Sequence, residues 1–150
     1  MTVIEALHSY FKTSPALADV RLDIDCLQRD PAKFSLDSVP GERIVKKYID
    51  GSSVRRQLFT ISSRTPYGPD LAQQKTNLDT FGALEDWLDS QEQLGILPPL
   101  GNNRKARSLR VTSSAYPIEV DEGQGVSTAR YQIQLELIYL QNIEYQEDIK

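Results

Sequence analysis

The segment Thr128–Gln141 constrains the fold most, because apolar and polar residues alternate along it. Successive side chains of a β-strand point to opposite faces, so the alternation predicts a long strand with one buried face. Ile138 and Leu140 interrupt the polar face near the end of the segment, which predicts that this chain or a partner covers that end. The apolar odd-numbered positions are Tyr131, Ile133, Leu135, Leu137 and Tyr139.

Composition favours one soluble domain spanning residues 1–150. The chain is 39% hydrophobic and 25% charged, which is typical of globular proteins. A net charge of -4 disfavours a surface that binds nucleic acid all over, although local basic patches remain possible. No run reaches the roughly 20 apolar residues that cross a bilayer. Met1–Tyr10 also lacks the basic start and continuous apolar run of a signal peptide, so we expect no membrane association.

Residues that carry chemistry are sparse. The single Cys26 excludes an intramolecular disulfide, and with only one His beside it a zinc site is disfavoured. We interpret Cys26 as a small core residue rather than a nucleophile, and His8 as a boundary residue. The sequence has no phosphate loop, dinucleotide fingerprint or nucleophile elbow. We therefore predict a protein that is not an enzyme and that uses no cofactor or metal.

The first half of the chain predicts one helix followed by strands. A capping box at Thr2–Glu5 begins a short amphipathic helix. Alternation over residues 20–25 predicts a half-buried strand, and Lys33–Asp37 a second short one. Arg43–Ser62 predicts a hairpin, because Asp50-Gly51 is a favoured turn pair between two segments of high β-propensity.

The second half predicts the main helix and the remaining strands. Apolar spacings of three and four predict a helix over Thr76–Leu94, ended by Gly95, with Gly82 a candidate for close packing. Gly101–Lys105 is predicted as a polar loop and Leu109–Tyr116 as a strand. Because strands come in runs rather than alternating with helices, we predict an α+β fold. Its mostly antiparallel sheet would pack against an N-terminal helix and one central amphipathic helix.

Two groups of basic residues are candidate contact sites. Neither contains the interleaved aromatic residues that stack on nucleic-acid bases. Pairing with acidic groups of a neighbouring subunit fits the net acidity better than phosphate contact, which remains the alternative. The first group is Arg43, Lys46, Lys47, Arg55 and Arg56, and the second is Arg104, Lys105, Arg107 and Arg110.

An ordered series of short motifs extends over most of the chain. The series resembles a family of small phage morphogenesis proteins, the tail terminators or tail completion proteins. Some members carry the name chloramphenicol resistance protein, but the acetyltransferase of that name needs a His before an Asp-Gly, and none precedes Asp50-Gly51 closely here. The motifs are Val39-Pro40-Gly41, Ile44 to Arg55, Leu58-Phe59-Thr60, Ser62-Ser63-Arg64, Tyr67-Gly68-Pro69-Asp70, Phe81 to Leu88, Gly95-Ile96-Leu97-Pro98 and Thr128 to Leu135.

The resemblance implies a structural role in virion assembly. Tail terminators form rings, typically homo-hexamers, that cap the tail tube, stop its polymerisation and join the tail to the head connector. It implies the tail tube protein and the connector (stopper) protein as partners, a location at the head–tail interface of a virion assembled in the host cytoplasm, and DNA passing through the lumen without specific binding. Another connector component, a stopper or adaptor, is the alternative. A small enzyme or ligand-binding domain would need a pocket with convergent polar groups.

Within this interpretation, the predicted subunit or tail-tube contacts combine charged and apolar positions. The loops Arg64–Lys75 and Arg104–Arg107 are the expected contact loops. The predicted contacts include all the basic residues of the two groups named above apart from Arg110. They also include Tyr67, Asp70, Ile138 and Leu140.

Overall fold

The computed structural model describes residues 2–17, 21–24, 33–66, 71–101, 103–121 and 128–143. The predictions for Cys26, Tyr67 and Asp70 lie outside these residues. The described chain forms two helices and a six-stranded, mostly antiparallel sheet, which confirms the predicted α+β class. In chain order, the elements are α1 (Val3–Phe11), β1 (Arg21–Ile24), β2 (Lys33–Val39), β3 (Ile44–Lys47), β4 (Ser53–Pro66), α2 (Leu71–Leu94), β5 (Arg104–Asp121) and β6 (Thr128–Gln141).

The sheet has the strand order β1-β2-β4-β6-β5, and β3 pairs with the first residues of β4 on the same edge as β2. Only the β1–β2 pair is parallel among the described strands. β6 is paired on both sides, with β4 along its whole length and with β5. The alternating segment is therefore a central strand, and the described sheet edges belong to other strands.

The predicted burial of β6 is confirmed. Its odd-numbered side chains, from Tyr131 to Tyr139, are all buried, and Leu135 is only 1% exposed. They share one core with Leu7 and Phe11 of α1 and with apolar residues of α2. The even-numbered side chains point to the opposite face, which neither α1 nor α2 covers. We call the two sides of the sheet the helix-covered face and the helix-free face.

Helix α1 begins as its sequence predicts. The Thr2 hydroxyl accepts a hydrogen bond from the Glu5 backbone N–H at 3.1 Å, which satisfies one unpaired donor of the first turn. His8 lies at the boundary of the core, with its Nε2 2.7 Å from the Leu22 carbonyl of β1. Because a carbonyl only accepts, Nε2 carries the proton in this contact. His8 thus links the helix to the sheet.

Helix α2 starts at Leu71, five residues earlier than predicted, because the preceding turn has strong helix formers. It ends in a Schellman motif: Gly95 has a φ of 71° and its N–H donates to the Glu92 carbonyl, while the Ile96 N–H donates to Gln91. The close-packing hypothesis for Gly82 is wrong. A Cβ added there would meet nothing within 4 Å, so this position faces open space.

Strand β5 corrects two predictions. Arg104 to Arg107 belong to this strand and not to a loop, and the strand continues through Pro117 to Asp121. β5 is paired only with β6 among the described strands, so Pro117 lies on an edge strand that tolerates its missing N–H. Four register irregularities, including one just after Pro117, break the two-residue alternation by which a strand is recognised in a sequence.

Candidate assembly interface

The β3–β4 hairpin forms where the sequence predicts it. The Gly51 N–H donates to the Tyr48 carbonyl at 3.1 Å, and Gly51 has a φ of 93°, a conformation that favours glycine. The Asp50 carboxylate accepts hydrogen bonds from the Ser52 hydroxyl at 2.6 Å and from its backbone N–H at 2.9 Å. These bonds stabilise the ionised form, so the pKa of Asp50 lies below its usual value.

Apolar side chains of β3 and of the hairpin turn are exposed. Ile49 is fully exposed at the turn, and Val45 and Tyr48 are also exposed. Exposed Ile143 lies close by, because a Cβ added at Gly51 would come within 2.8 Å of its Cδ1. We call Val45, Tyr48, Ile49 and Ile143 the hairpin patch. Lys46 lies within it, with its Nζ 5.2 Å from the centre of the Tyr48 ring.

The two basic groups, far apart in sequence, lie at the same end of the sheet. Lys46 of β3 is opposite Val54 of β4, Val54 is opposite Leu140 of β6, and Leu140 is opposite Lys105 of β5. Directly opposed residues in antiparallel strands share a face, so these four side chains form one row across the helix-free face. The row has a lysine at each end and apolar residues between them.

A second set of charges lies farther along the same face. Glu136 of β6 receives an arginine from each side: its Oε1 is 3.0 Å from Nε of Arg110, and its Oε2 is 3.2 Å from Nε of Arg56. The Arg110 contact is a hydrogen bond, whereas the Nε of Arg56 is close without good hydrogen-bond geometry. The Glu136 side chain is 12% exposed, so the carboxylate is largely enclosed by the two guanidinium groups.

Some of the other predicted contact residues form hydrogen bonds within the chain, and others are exposed. Arg55 Nε donates to the Ser53 hydroxyl at 3.0 Å, and Arg104 Nε donates to Gln141 Oε1 at 3.2 Å. Lys47 is opposite Ser53, and this pair belongs to the helix-covered side. These contacts hold the end of the sheet together, and they place Arg55 and Arg104 away from the row of lysines.

Arg43 and Arg107 are exposed. The Arg43 backbone carbonyl accepts from the Arg56 N–H at 2.7 Å, which extends the hairpin by one bond. Arg107 lies at the β5 irregularity between Ala106 and Ser108. Within the described part of the chain, Arg107 has no ion pair.

Ile138 and Leu140 are half-buried on the helix-free face. Arg56 and Ser108 flank Ile138, and the row of lysines includes Leu140. We call Lys46, Arg56, Lys105 and Arg110, with Ile138 and Leu140 between them, the basic end. Four positive charges and the single negative charge of Glu136 give this surface a net positive charge in a protein that is acidic as a whole.

The outer side of α2 has the opposite charge. From Asp79 to Leu94 the helix has five acidic residues and no basic one. Phe81, Leu84 and Leu88 face the core, whereas Asp86 and Asp89 are exposed on the side turned away from it. We call Asp79, Asp86 and Asp89 the acidic helix face. It lies on the side of the sheet opposite the basic end.

A groove of about 400 Å³ lies between α1 and the segment before β5. The Thr13 hydroxyl in its wall donates to the Tyr10 carbonyl, and the Tyr10 hydroxyl accepts from Gln91, so these polar groups are already used within the chain. Burial raises the pKa of Tyr10, and the Gln91 hydrogen bond opposes that shift. The groove is lined by Ala6, Ser9, Tyr10, Thr13, Pro99 and Gly101.

Three or more possible metal-binding side chains do not come together anywhere in the described ranges. Neither described helix is long and apolar enough to span a membrane.

Sequence reasoning missed Glu136 and the hairpin patch. Glu136 looked like any polar residue of an alternating strand, because its arginine partners depend on the register with two other strands. The hairpin patch did leave a signal. Apolar residues at 44, 45, 48 and 49 follow no two-residue alternation, as expected for a strand without one buried face.

No protein-family model matches the sequence, and no curated protein is similar to it. Among the solved structures that match, one is similar over 95% of this chain and 97% of its own length, at 12% sequence identity and a TM-score of 0.42.

Proposed function

We propose that the protein is a structural component of phage assembly, a tail terminator that forms a closed ring on the end of the tail tube. The observation that carries the proposal is the hairpin patch. Ile49 and its apolar neighbours are exposed at a hairpin turn fixed by backbone hydrogen bonds. Contiguous exposed apolar side chains mark protein–protein contact sites. The ordered motifs supply the class of assembly, and the hairpin patch is the proposed contact with the tail tube protein.

The proposed activity is mechanical and not chemical. A ring of identical subunits requires heterologous contacts, in which two different surfaces of each copy meet. Capping then requires that the ring covers the growing end of the tube and presents a different surface to the connector. A hairpin turn fixed by the Tyr48–Gly51 and Tyr48–Ser52 backbone bonds suits such docking, because little further ordering is needed on binding.

Deletion of the gene tests this proposal against the alternative connector role. We expect overlong tails without heads in electron micrographs, because nothing stops polymerisation of the tube. Leaking heads beside tails of normal length would instead indicate a stopper or adaptor.

Binding to purified tail tube protein tests the role of the hairpin patch. Ile49→Ser/Tyr48→Ser should weaken tube binding at least about tenfold, since apolar anchors at an interface dominate its affinity. Lys12→Ser, at the residue that caps the end of α1, is the control and should bind normally. Equal binding by the hairpin variant and the wild type would contradict the role given to the hairpin patch.

A further inference from the structure

The basic end of the sheet and the acidic helix face lie on opposite sides of the molecule. The basic end contains the row Lys46, Val54, Leu140 and Lys105 on the helix-free face. The acidic helix face belongs to α2, which packs on the other side through its own apolar residues. A single copy therefore cannot bring the two surfaces together.

We infer that the acidic helix face of one copy binds the basic end of the next copy, and that this contact closes the proposed ring. The inference rests on the proposed function and names its subunit interface. Because the two surfaces differ, the contact is heterologous, and each copy would use both surfaces at once. The apolar residues Ile138 and Leu140 would lie at the centre of the contact, with Lys46 and Lys105 at its rim.

The complementary charges of the two surfaces support a second copy of this chain as the partner that binds the basic end. On the acidic helix face, Asp86 and Asp89 are exposed and form no ion pair with another described residue. The same holds for Lys46 and Lys105 at the basic end. Complementary charges across an interface steer association and set the orientation of the partners. A chain with a net charge of -4 that concentrates positive charge in one place carries the complement on its own surface.

The half-buried pair Ile138 and Leu140 gives the basic end an apolar centre. Ile138 and Leu140 interrupt the polar positions of β6 only at the end where the lysines are, whereas the preceding even-numbered positions are the polar residues Gln132, Gln134 and Glu136. Apolar residues inside a charged rim are the usual arrangement of a protein–protein interface. A surface for nucleic acid would instead place aromatic residues among the basic ones.

Two charge-reversed variants test the interface. The helix variant is Asp86→Lys/Asp89→Lys, and the sheet variant is Lys46→Glu/Lys105→Glu. Each alone would bring like charges together, so we expect the concentration for half-assembly to rise at least about tenfold. An equal mixture should recover assembly, because alternating copies of the two variants restore opposite charges at every contact of an even-numbered ring. Native mass spectrometry reads the number of 16.9 kDa copies per particle.

The control is Lys47→Glu, next to Lys46 but paired on the helix-covered side. It should assemble like the wild type, and circular dichroism should show every variant folded. The inference is overturned if both variants assemble normally, if the mixture fails to recover assembly, or if Lys47→Glu is as impaired as the sheet variant. Binding of duplex DNA that the sheet variant loses while it still assembles would also overturn it, in favour of nucleic acid.

Failure of the proposed function gives a different result. In that case the wild type remains a single copy, both alone and with tail tube protein, and the variants have nothing to disrupt. An assembling wild type whose charge-reversed variants also assemble would leave the ring intact and refute only this interface.

Discussion

The two faces of β6 differ in what their side chains contact, although both belong to the same strand. Leu135 and Glu136 are adjacent in sequence, yet one lies in an apolar core beneath the helices and the other between two arginines on the helix-free face. The two helices of the same chain cover the helix-covered face. The helix-free face ends in half-buried Ile138 and Leu140 and a concentration of positive charge. One face accounts for the stability of the fold, and the other is the face that we assign to assembly.

The largest expected effect comes from placing a charge on the covered face. Leu135→Asp should destabilise the protein by at least about 4 kcal/mol, because the carboxylate would lie in an apolar core without a partner. Against a typical total of about 5–15 kcal/mol, this leaves little or no folded protein. Solubility and urea unfolding measure the effect.

The matched control is Gln134→Asp, one position earlier and exposed on the helix-free face. It should unfold cooperatively at nearly the wild-type urea concentration. A soluble Leu135→Asp protein with a cooperative unfolding transition would contradict the assignment of Leu135 to the buried face.

The next effect comes from the charge cluster of the helix-free face. Glu136→Gln should cost about 1–2 kcal/mol of unfolding free energy, since it leaves Arg56 and Arg110 next to each other without a carboxylate. Arg110→Gln should cost less than about 1 kcal/mol, because that arginine is 65% exposed. Urea denaturation of the two variants compares the costs. The assignment of Glu136 as the shared partner is wrong if the order is reversed.

A smaller effect, of opposite sign, is expected on the outer surface of α2. Gly82→Ala should stabilise the protein by about 0.5–1 kcal/mol, because alanine favours the helix and a Cβ there meets nothing within 4 Å. Gly51→Ala should destabilise it, since Gly51 has a positive φ and its Cβ would clash with Ile143. Thermal unfolding at high salt, where ionic assembly is weak, compares both with the wild type. A destabilised Gly82→Ala protein would indicate that this surface is already covered.

The smallest effect concerns the pH dependence of the hairpin. The pKa of Asp50 is lowered in the folded state, mainly by the Ser52 hydroxyl. Its contribution to stability is therefore full above the pKa of the unfolded chain and disappears as the pH falls through the lower folded value. Carboxyl NMR titration should place the pKa of Asp50 below that of a free aspartate, and Ser52→Ala should move it back. An unchanged pKa in Ser52→Ala would show that another group causes the shift.

Local sequence patterns were enough to predict the helix ends and the strand that is buried on one face. β6 was predicted with its observed ends because apolar residues at every second position form a continuous face on a strand but not on a helix. The cap at Thr2 and the stop at Gly95 were predicted because each depends on a few neighbouring residues. Only the middle of β5, Leu109–Tyr116, was predicted, since an edge strand with several bulges and Pro117 loses that alternation at its ends.

The candidate interface was predictable only in part. Both basic groups and the Ile138–Leu140 pair were identified from sequence, but their meeting at one end of the sheet depends on the register of four strands. Local patterns do not specify which strands become neighbours, so Lys46 and Lys105 could not be placed in one row. For the same reason, Arg56 looked like a free contact residue, whereas it lies beside Glu136.

Electron cryo-microscopy of the assembled wild-type protein resolves which surfaces of neighbouring copies meet, and so tests the proposed subunit contact. We expect a closed ring in which Leu140 and Lys105 of one copy lie against Asp86 and Asp89 of the next. A ring whose helix-free face is open to solvent at that end, or particles that contain a single copy, would contradict it.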